Sequence, residues 1–554
     1  MASLAPRSGT LGRRLAAHLL RRATFGATRT EIDSFASMTA DQAVDALSVI
    51  PVMATEPIDP ATNLTWFPAG RTQANSPNED LKYIVNSWWL HHMMTASASP
   101  TLAHKLFFFL HTSFVTSFKD IEWNENHYYT IRLLNYFVDK SYKDLAFKIC
   151  LDGGMNEFLD IGESVEGNPN ENFAREFLEL FTIGKGPAAG TGDYTTFTEQ
   201  DVNEAARLLT GFRLNNDWDD PTRLDPVTGF PQAWIDPNKH DPTDKLFSAR
   251  FQNTIIAGTD TAAGMLLELQ QFVDMIFNQT ATAEYIMRRL YRLFVHYHIS
   301  SDAETGIIQP LAQSFIANNF EVLPVLKQLL KSEHFFDADD ADATDGRVGA
   351  LIKSPLELQT QIIRYFDVPL PDPAVDPFEA YVTFYWSGIQ DPQSLACMDI
   401  LGPSEVAGYP PVYQSPEFNR LWVGSKSIPA RYALPDEHLD GPEILQMDVM
   451  AFVQDTTRIT EFAGADANGA PGPHPGARIA PHLVQELVDY LMPEALPQAR
   501  FDYFLNEILL DSLSEINWSF EWDLYLATLD DSNVKPQIKK LIRALLQSPE
   551  FQLG

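Results

Sequence analysis

Cysteine is nearly missing from this chain. Cys150 and Cys397 are the only two in 554 residues, far apart and in no CxxC pair. A disulfide scaffold and a cysteine-rich zinc site are thereby excluded. Two buried thiols in a reducing compartment are the simplest expectation, and one long-range disulfide is left open. Positive charge is scarce too: 40 Lys and Arg stand against 74 Asp and Glu, a formal net charge of −34. Nucleic acid is excluded as the main partner, because phosphate binding needs a basic surface, and adsorption to an anionic membrane is disfavoured. No window approaches the roughly 18 consecutive apolar residues of a membrane span. Arg13-Arg14 suggests an export signal, but the apolar stretch behind it is interrupted by His18 and closes on Arg21-Arg22. That is too short for a signal peptide. The expected location is cytoplasmic, and residues 11–23 read as an amphipathic helix of the fold. There is also no GxSxG elbow, Walker A loop, HExxH or dinucleotide fingerprint.

What the chain does have is apolar bulk. Hydrophobic residues make up 45%, with 36 Phe and 10 Trp, enough to fill a large core. Single cores stop growing near roughly 250–300 residues, so about two to four structural units are expected. Helical periodicity dominates and alternating strands are few, which predicts a mainly α, multi-helix protein with long irregular loops and at most small strands. Three regions are expected to pack together: 1–260 with the polar site, 261–365, and 366–554 with a flexible Gly/Pro-rich insertion at 464–481. Ser99-Pro100 is predicted to open a helix, Ser as cap and Pro at the first position. Residues 102–118 are apolar nearly all round, so this helix should be central and buried. Residues 212–258 lack helical period and form the longest irregular region of the N-terminal half.

Polar residues concentrate at 168–182. At about 100° per residue, Phe173, Phe177, Leu180 and Phe181 share one helix face, with Asn172, Arg175, Glu176 and Glu179 on the other arc. Glu176 falls at the boundary. The spacing predicts i,i+4 pairs Glu171–Arg175 and Arg175–Glu179, and a solvated, salt-bridged face is the plainer account of them. Thr198 with Asp201 forms a capping-box pattern, and Glu204 can pair with Arg207, so structure is favoured for these residues. His111 sits inside the Phe-rich helix, where a hydrogen-bonded core histidine is the commoner role. His240-Asp241 lies on an irregular loop and offers imidazole and carboxylate ligands, or two turn residues. Two acidic loops, beginning at Asn215 and Asp337, start like calcium loops but place Pro226 and Val348 at the twelfth position, so neither is an EF-hand.

Several stretches, in order along nearly the whole chain, resemble a known family. They are Ala17-His-Leu-Leu-Arg-Arg-Ala-Thr-Phe25-Gly26, Lys105-Leu-Phe-Phe-Phe-Leu-His111-Thr-Ser-Phe114, and Asn170-Glu-Asn-Phe-Ala-Arg-Glu-Phe-Leu-Glu-Leu180. Asp201-Val, Ala206-Arg207-Leu-Leu-Thr210-Gly211, His240-Asp241 with Lys245, Ser354-Pro355, and Leu401-Gly-Pro with Gly408-Tyr-Pro410 extend the match. The family is the bacterial domain-of-unknown-function family number eighteen hundred, in its Bacteroidetes-type form. Tyr409 and Phe212 stand where the family often has Trp.

The resemblance implies no established activity. It implies association with a phosphatase- or sulfatase-like companion protein and export in complex with it. It also singles out His111, Asn170, Asn172, Arg175, Glu176, Asp201, Arg207, His240 and Asp241 together. The leading expectation is a hydrolase-like cleft in which His111, Glu176, His240 and Asp241 hold a divalent ion (zinc, iron, manganese or calcium) that activates water. Glu179 or Asp201 would act as base and Arg175 or Arg207 would hold an anionic group, with Asn170, Asn172 and Lys245 as binding residues. The alternative is a non-catalytic scaffold, chaperone or export partner, its polar set a buried network that fixes helix packing.

Overall fold

Apolar periodicity becomes helix along most of the chain, and the computed structural model describes residues 2–53, 55–65, 79–95, 99–190, 193–215, 217–218, 220–339 and 346–554. The protein is mainly α, with four two-stranded antiparallel pairs as its only named sheets among the described residues. The first helix, Gly12–Ala23, buries Leu15, Leu19 and Leu20 as its pattern demands, and buries Arg21 and Arg22 with them. Helix Ala103–Ser113 is buried at every residue. It starts later than the Ser99-Pro100 signal. The Leu102 N–H is held by the Leu47 carbonyl at 2.8 Å and the Thr101 hydroxyl by the Val49 carbonyl at 2.7 Å. Thr101, not Ser99, then accepts from the first helical N–H, that of Ala103, at 3.1 Å.

Helix Glu79–Thr95 is invisible as an amphipathic pattern because polar residues are buried in it beside the apolar ones. Trp88, Trp89 and Leu90 are buried, and so are Asn86, Ser87 and His92. The expected helix over 170–183 exists, but it changes gauge. Glu171–Glu176 is α-helical, and Phe177–Thr182 widens to π-helical geometry. Helix Glu199–Leu208 carries the predicted capping box of Thr198 and Asp201.

The irregular region 212–258 holds two of the small strand pairs, Phe212–Arg213 with Trp234–Ile235 and Lys245–Leu246 with Ile255–Ile256. Gly211 opens it at φ +83°, and a Cβ there would lie 2.7 Å from the Asp236 carbonyl oxygen. Only glycine fits that close approach.

One continuous cluster of buried side chains runs from Leu11 to Phe551 and joins all three expected regions. Chain ends meet across it: the Arg21 guanidinium donates to the Tyr490 and Met492 carbonyls at 2.7 and 3.0 Å. The 464–481 segment is tied down. Phe462 and His474 exchange backbone hydrogen bonds at 2.9 Å, and Arg478 holds Asp466 at 2.9 Å. Cys150 is buried as expected, whereas Cys397 is exposed; both thiols are free. Of the two acidic loops, Asn216, Asp219 and residues 340–345 lie outside the described residues. No helix among the described residues is long and apolar enough to cross a membrane.

Candidate functional site

The polar residues singled out by sequence form several separate structural networks. Among the described residues, no group of three or more His, Cys, Asp or Glu side chains is arranged to hold a metal ion. The quartet His111, Glu176, His240 and Asp241 is therefore not assembled as a ligand set, and each member has its own surroundings. His111 lies inside its helix, its ring 6.3 Å from that of Phe107, with the Thr116 backbone as its polar neighbour. Burial lowers its pKa to about 4. Glu176 is half-buried, and burial raises its carboxyl with Glu179 adding repulsion.

His240 closes a sealed network. Its Nδ1 sits 2.9 Å from the Thr210 carbonyl, and its Nε2 lies 3.3 Å from both Glu268 and Lys245. Lys245 donates to Glu268 at 2.6 Å and to the Asp241 carbonyl at 2.6 Å. All three side chains are buried. Glu268, the carboxylate that completes the network, was not singled out in the sequence because it lies in a plain helix, Ala262–Phe277. Asp241 faces outward to Arg207, which donates to it at 2.8 Å and to Glu204 at 2.6 Å. Burial opposes ionisation of Asp241, but Arg207 and Thr243 hold its carboxyl far below the usual range.

The other singled-out residues have surroundings of their own. Asp201 is fully buried. It accepts from the Thr198 N–H and hydroxyl at 2.8 and 2.9 Å and from the Ser248 N–H and hydroxyl at 2.7 Å each. Both carboxylate oxygens are thereby engaged, Oδ2 three times and Oδ1 once, in holding Thr198 and Ser248. Asn170 caps its helix through the Phe173 N–H at 3.1 Å, and Asn172 is exposed. Arg175 does not take its i,i+4 neighbours. It grips Glu199 of the next helix bidentately at 2.6 and 2.8 Å, while Glu179 pairs with Lys185 at 2.8 Å. The helix widens to π geometry directly after Glu176, which changes the angular spacing between Arg175 and Glu179.

A different constellation forms where the first helix, helix Ala103–Ser113, helix Thr280–Phe294 and the start of helix Pro355–Tyr365 converge. A cavity of about 60 Å³ is lined there by six basic side chains: Arg21, Arg22, Lys105, Arg289, Arg292 and Lys353. One acidic side chain, Glu357, shares the lining with Gly554, the last residue of the sequence. Glu357 is fully engaged, bonded to Lys105 through Oε1 and accepting from the Ser354 N–H and hydroxyl at 2.6 and 2.8 Å through Oε2. Burial would raise its carboxyl, yet Lys105 holds it below the ordinary value.

The other five cations form no ion pair among the described residues. Arg22 donates to the Arg347 carbonyl at 2.8 Å, and Arg289 to the Leu180 carbonyl at 2.8 Å. Carbonyls orient a guanidinium without cancelling its charge. Burial therefore drives Arg21 and Arg292 down to about 10 and Arg22 to about 9. The Nε atoms of Arg21, Arg22 and Arg292 and the whole side-chain amide of Asn419, also in the lining, have no partner. Each such orphaned group costs roughly 1–3 kcal/mol when buried. Phe25, Phe108 and Trp422 supply apolar wall.

The signal for this cavity was present in the sequence. Arg21, Arg22, Phe25, Lys105, Phe108 and Ser354 all belong to the quoted motif stretches. Arginine and lysine inside apolar helices carry no chemical motif, unlike His and Glu at ligand-like spacing. A family model described as "Protein of unknown function (DUF1800)" matches residues 18–553. Neither a curated protein nor a solved structure matches the chain.

Proposed function

The chain belongs to the DUF1800 family of proteins of unknown function, and from that premise we propose that it is an anion-binding protein centred on this cationic cavity. One observation carries the reading. In a chain of net charge −34, six buried or half-buried basic side chains share one void with a single acidic side chain that is already paired. Uncompensated buried charge is costly, and a protein keeps it where a ligand supplies the counter-charge. Guanidinium Nε–H donors in a low-dielectric pocket make charge-assisted bonds to oxyanions. The void suits a small head group: at about 10–15 Å³ per water-sized site, it takes roughly four oxygen atoms, the number in a tetrahedral oxyanion. The ligand class is therefore a sulfate-, phosphate- or carboxylate-bearing small molecule.

Thermal unfolding in sulfate and in chloride at matched ionic strength tests this. Ligand at about a hundred times its Kd stabilises the folded state by about 2.7 kcal/mol, so sulfate should raise the melting temperature by several degrees beyond chloride. Equal melting in the two salts would overturn the reading.

A further inference from the structure

Two lysines line the cavity in opposite states. Lys105 is bonded to the carboxylate of Glu357. Lys353 is fully buried with no carboxylate at ion-pair distance among the described residues. Its Nζ donates to the Phe551 carbonyl at 2.7 Å and lies 4.0 Å from the centre of the Phe551 ring. Its backbone is fixed, the carbonyl accepting from Arg431 at 2.8 Å. The charged groups around it are Arg21, Arg22 and Arg431, with Glu357 the one opposing charge. Burial, then Arg21, pushes its ammonium well below the ordinary lysine value. A desolvated lysine beside other cations is the arrangement in which an amine becomes a nucleophile toward carbonyl carbon.

We propose that Lys353 is an imine-forming residue, and that the cavity takes a small aldehyde or ketone whose carboxylate or other oxyanion is held by the arginines. This rests on the anion-binding reading above. In the step, the amine lone pair forms a C–N bond to the carbonyl carbon and the C–O π pair moves to oxygen. Both amine protons pass to that oxygen, which departs as water, leaving C=N. No oxidant or reductant takes part. Lys105 and Glu357 are the paired titratable groups of the same lining available to carry protons. At the same roughly 10–15 Å³ per heavy atom, a cavity of about 60 Å³ matches the five heavy atoms of a two-carbon oxo acid such as glyoxylate.

The full chain is treated at pH 7 with glyoxylate and cyanoborohydride, with and without saturating sulfate, and the modified lysines are located by peptide mapping. Lys353 should be carboxymethylated at least roughly ten-fold faster than exposed Lys426, since each pKa unit is worth ten-fold in free amine, and sulfate should protect it. A merely structural buried lysine would react last. Lys353→Arg keeps a donor for Phe551, and it should lose the fast label while retaining the sulfate-induced melting shift; if it does not fold, the wild-type map decides alone. Unmodified Lys353 in a protein that still responds to sulfate overturns the imine and leaves anion binding standing. No sulfate response overturns both. Fast labelling that sulfate fails to block overturns the placement of the amine in the anion site.

Discussion

Replacing Arg22 by Met should strengthen the empty protein and weaken the anion-loaded one. Arg22 is 3% exposed. Its guanidinium falls from the ordinary arginine range to about 9, through burial first, with Glu357 opposing and Arg21 adding repulsion. Such a drop corresponds to roughly 4–5 kcal/mol of unfavourable charge burial, an upper bound. Against it stands one hydrogen bond to the Arg347 carbonyl, whose loss leaves a buried acceptor at a cost of about 1–3 kcal/mol. Removing the charge therefore yields a net gain of about 2 kcal/mol in sulfate-free buffer. Saturating sulfate stabilises the wild type by about 2.7 kcal/mol at a hundred-fold excess over Kd and the variant by far less, so the order reverses. The sign with pH follows. A base whose folded pKa is depressed binds its proton less readily when folded, so wild-type stability rises as pH climbs through about 9, and the variant lacks that rise. Urea denaturation of both proteins with and without sulfate reads all of this. Equal destabilisation of the variant in both buffers would refute the reasoning.

Acid should destabilise the fold well above the carboxylate range. Burial drives His92, His111 and His438 to about 4, and His104 and His127 to about 3, so below about 6.5 the unfolded chain binds protons that the folded chain refuses. Burial raises Asp152 to about 6 and Glu157 to about 7, which works the other way. The balance of about three protons predicts a loss near 4 kcal/mol per pH unit around pH 5.5; urea midpoints unchanged from pH 7 to pH 5 would contradict it. Asp201→Ala should cost roughly 3 kcal/mol, combining a lost cap with the stranded donors of Ser248, and an effect under about 1 kcal/mol in the same denaturation assay would mean the carboxylate is dispensable. Lys245→Met leaves Glu268 buried without its cation and should cost about 3–5 kcal/mol, while leaving the sulfate-induced melting shift of the surviving folded protein intact.

Much of the architecture was legible because apolar spacing and caps are local. Thr198 with Asp201 announced a helix start, and the Phe-rich run announced a central helix that is indeed buried throughout. The Glu79–Thr95 helix was not legible, since buried polar residues such as Asn86, Ser87 and His92 break its amphipathic signature. Nor was the partner of Arg175. Intrahelical spacing favoured Glu171 and Glu179, and only the packing of two helices and a π-helical turn delivers Glu199. The site was legible in its parts and not in its assembly. Arg21, Arg22 and Lys105 stood in the quoted stretches, but burial of their charge depends on elements hundreds of positions away, such as Lys353 and Arg292. His240 and Asp241 had the right chemistry for ligands, yet Thr210, Lys245 and Arg207 satisfy them locally.

Selenate, an isostere of sulfate with a strong X-ray absorption edge, tests the central claim most directly. Crystals soaked in selenate and measured at the selenium edge should show one dominant anomalous peak within hydrogen-bonding reach of the Nε atoms of Arg21, Arg22 and Arg292. Fully occupied selenate elsewhere on the protein, with that void holding water alone, would contradict the account.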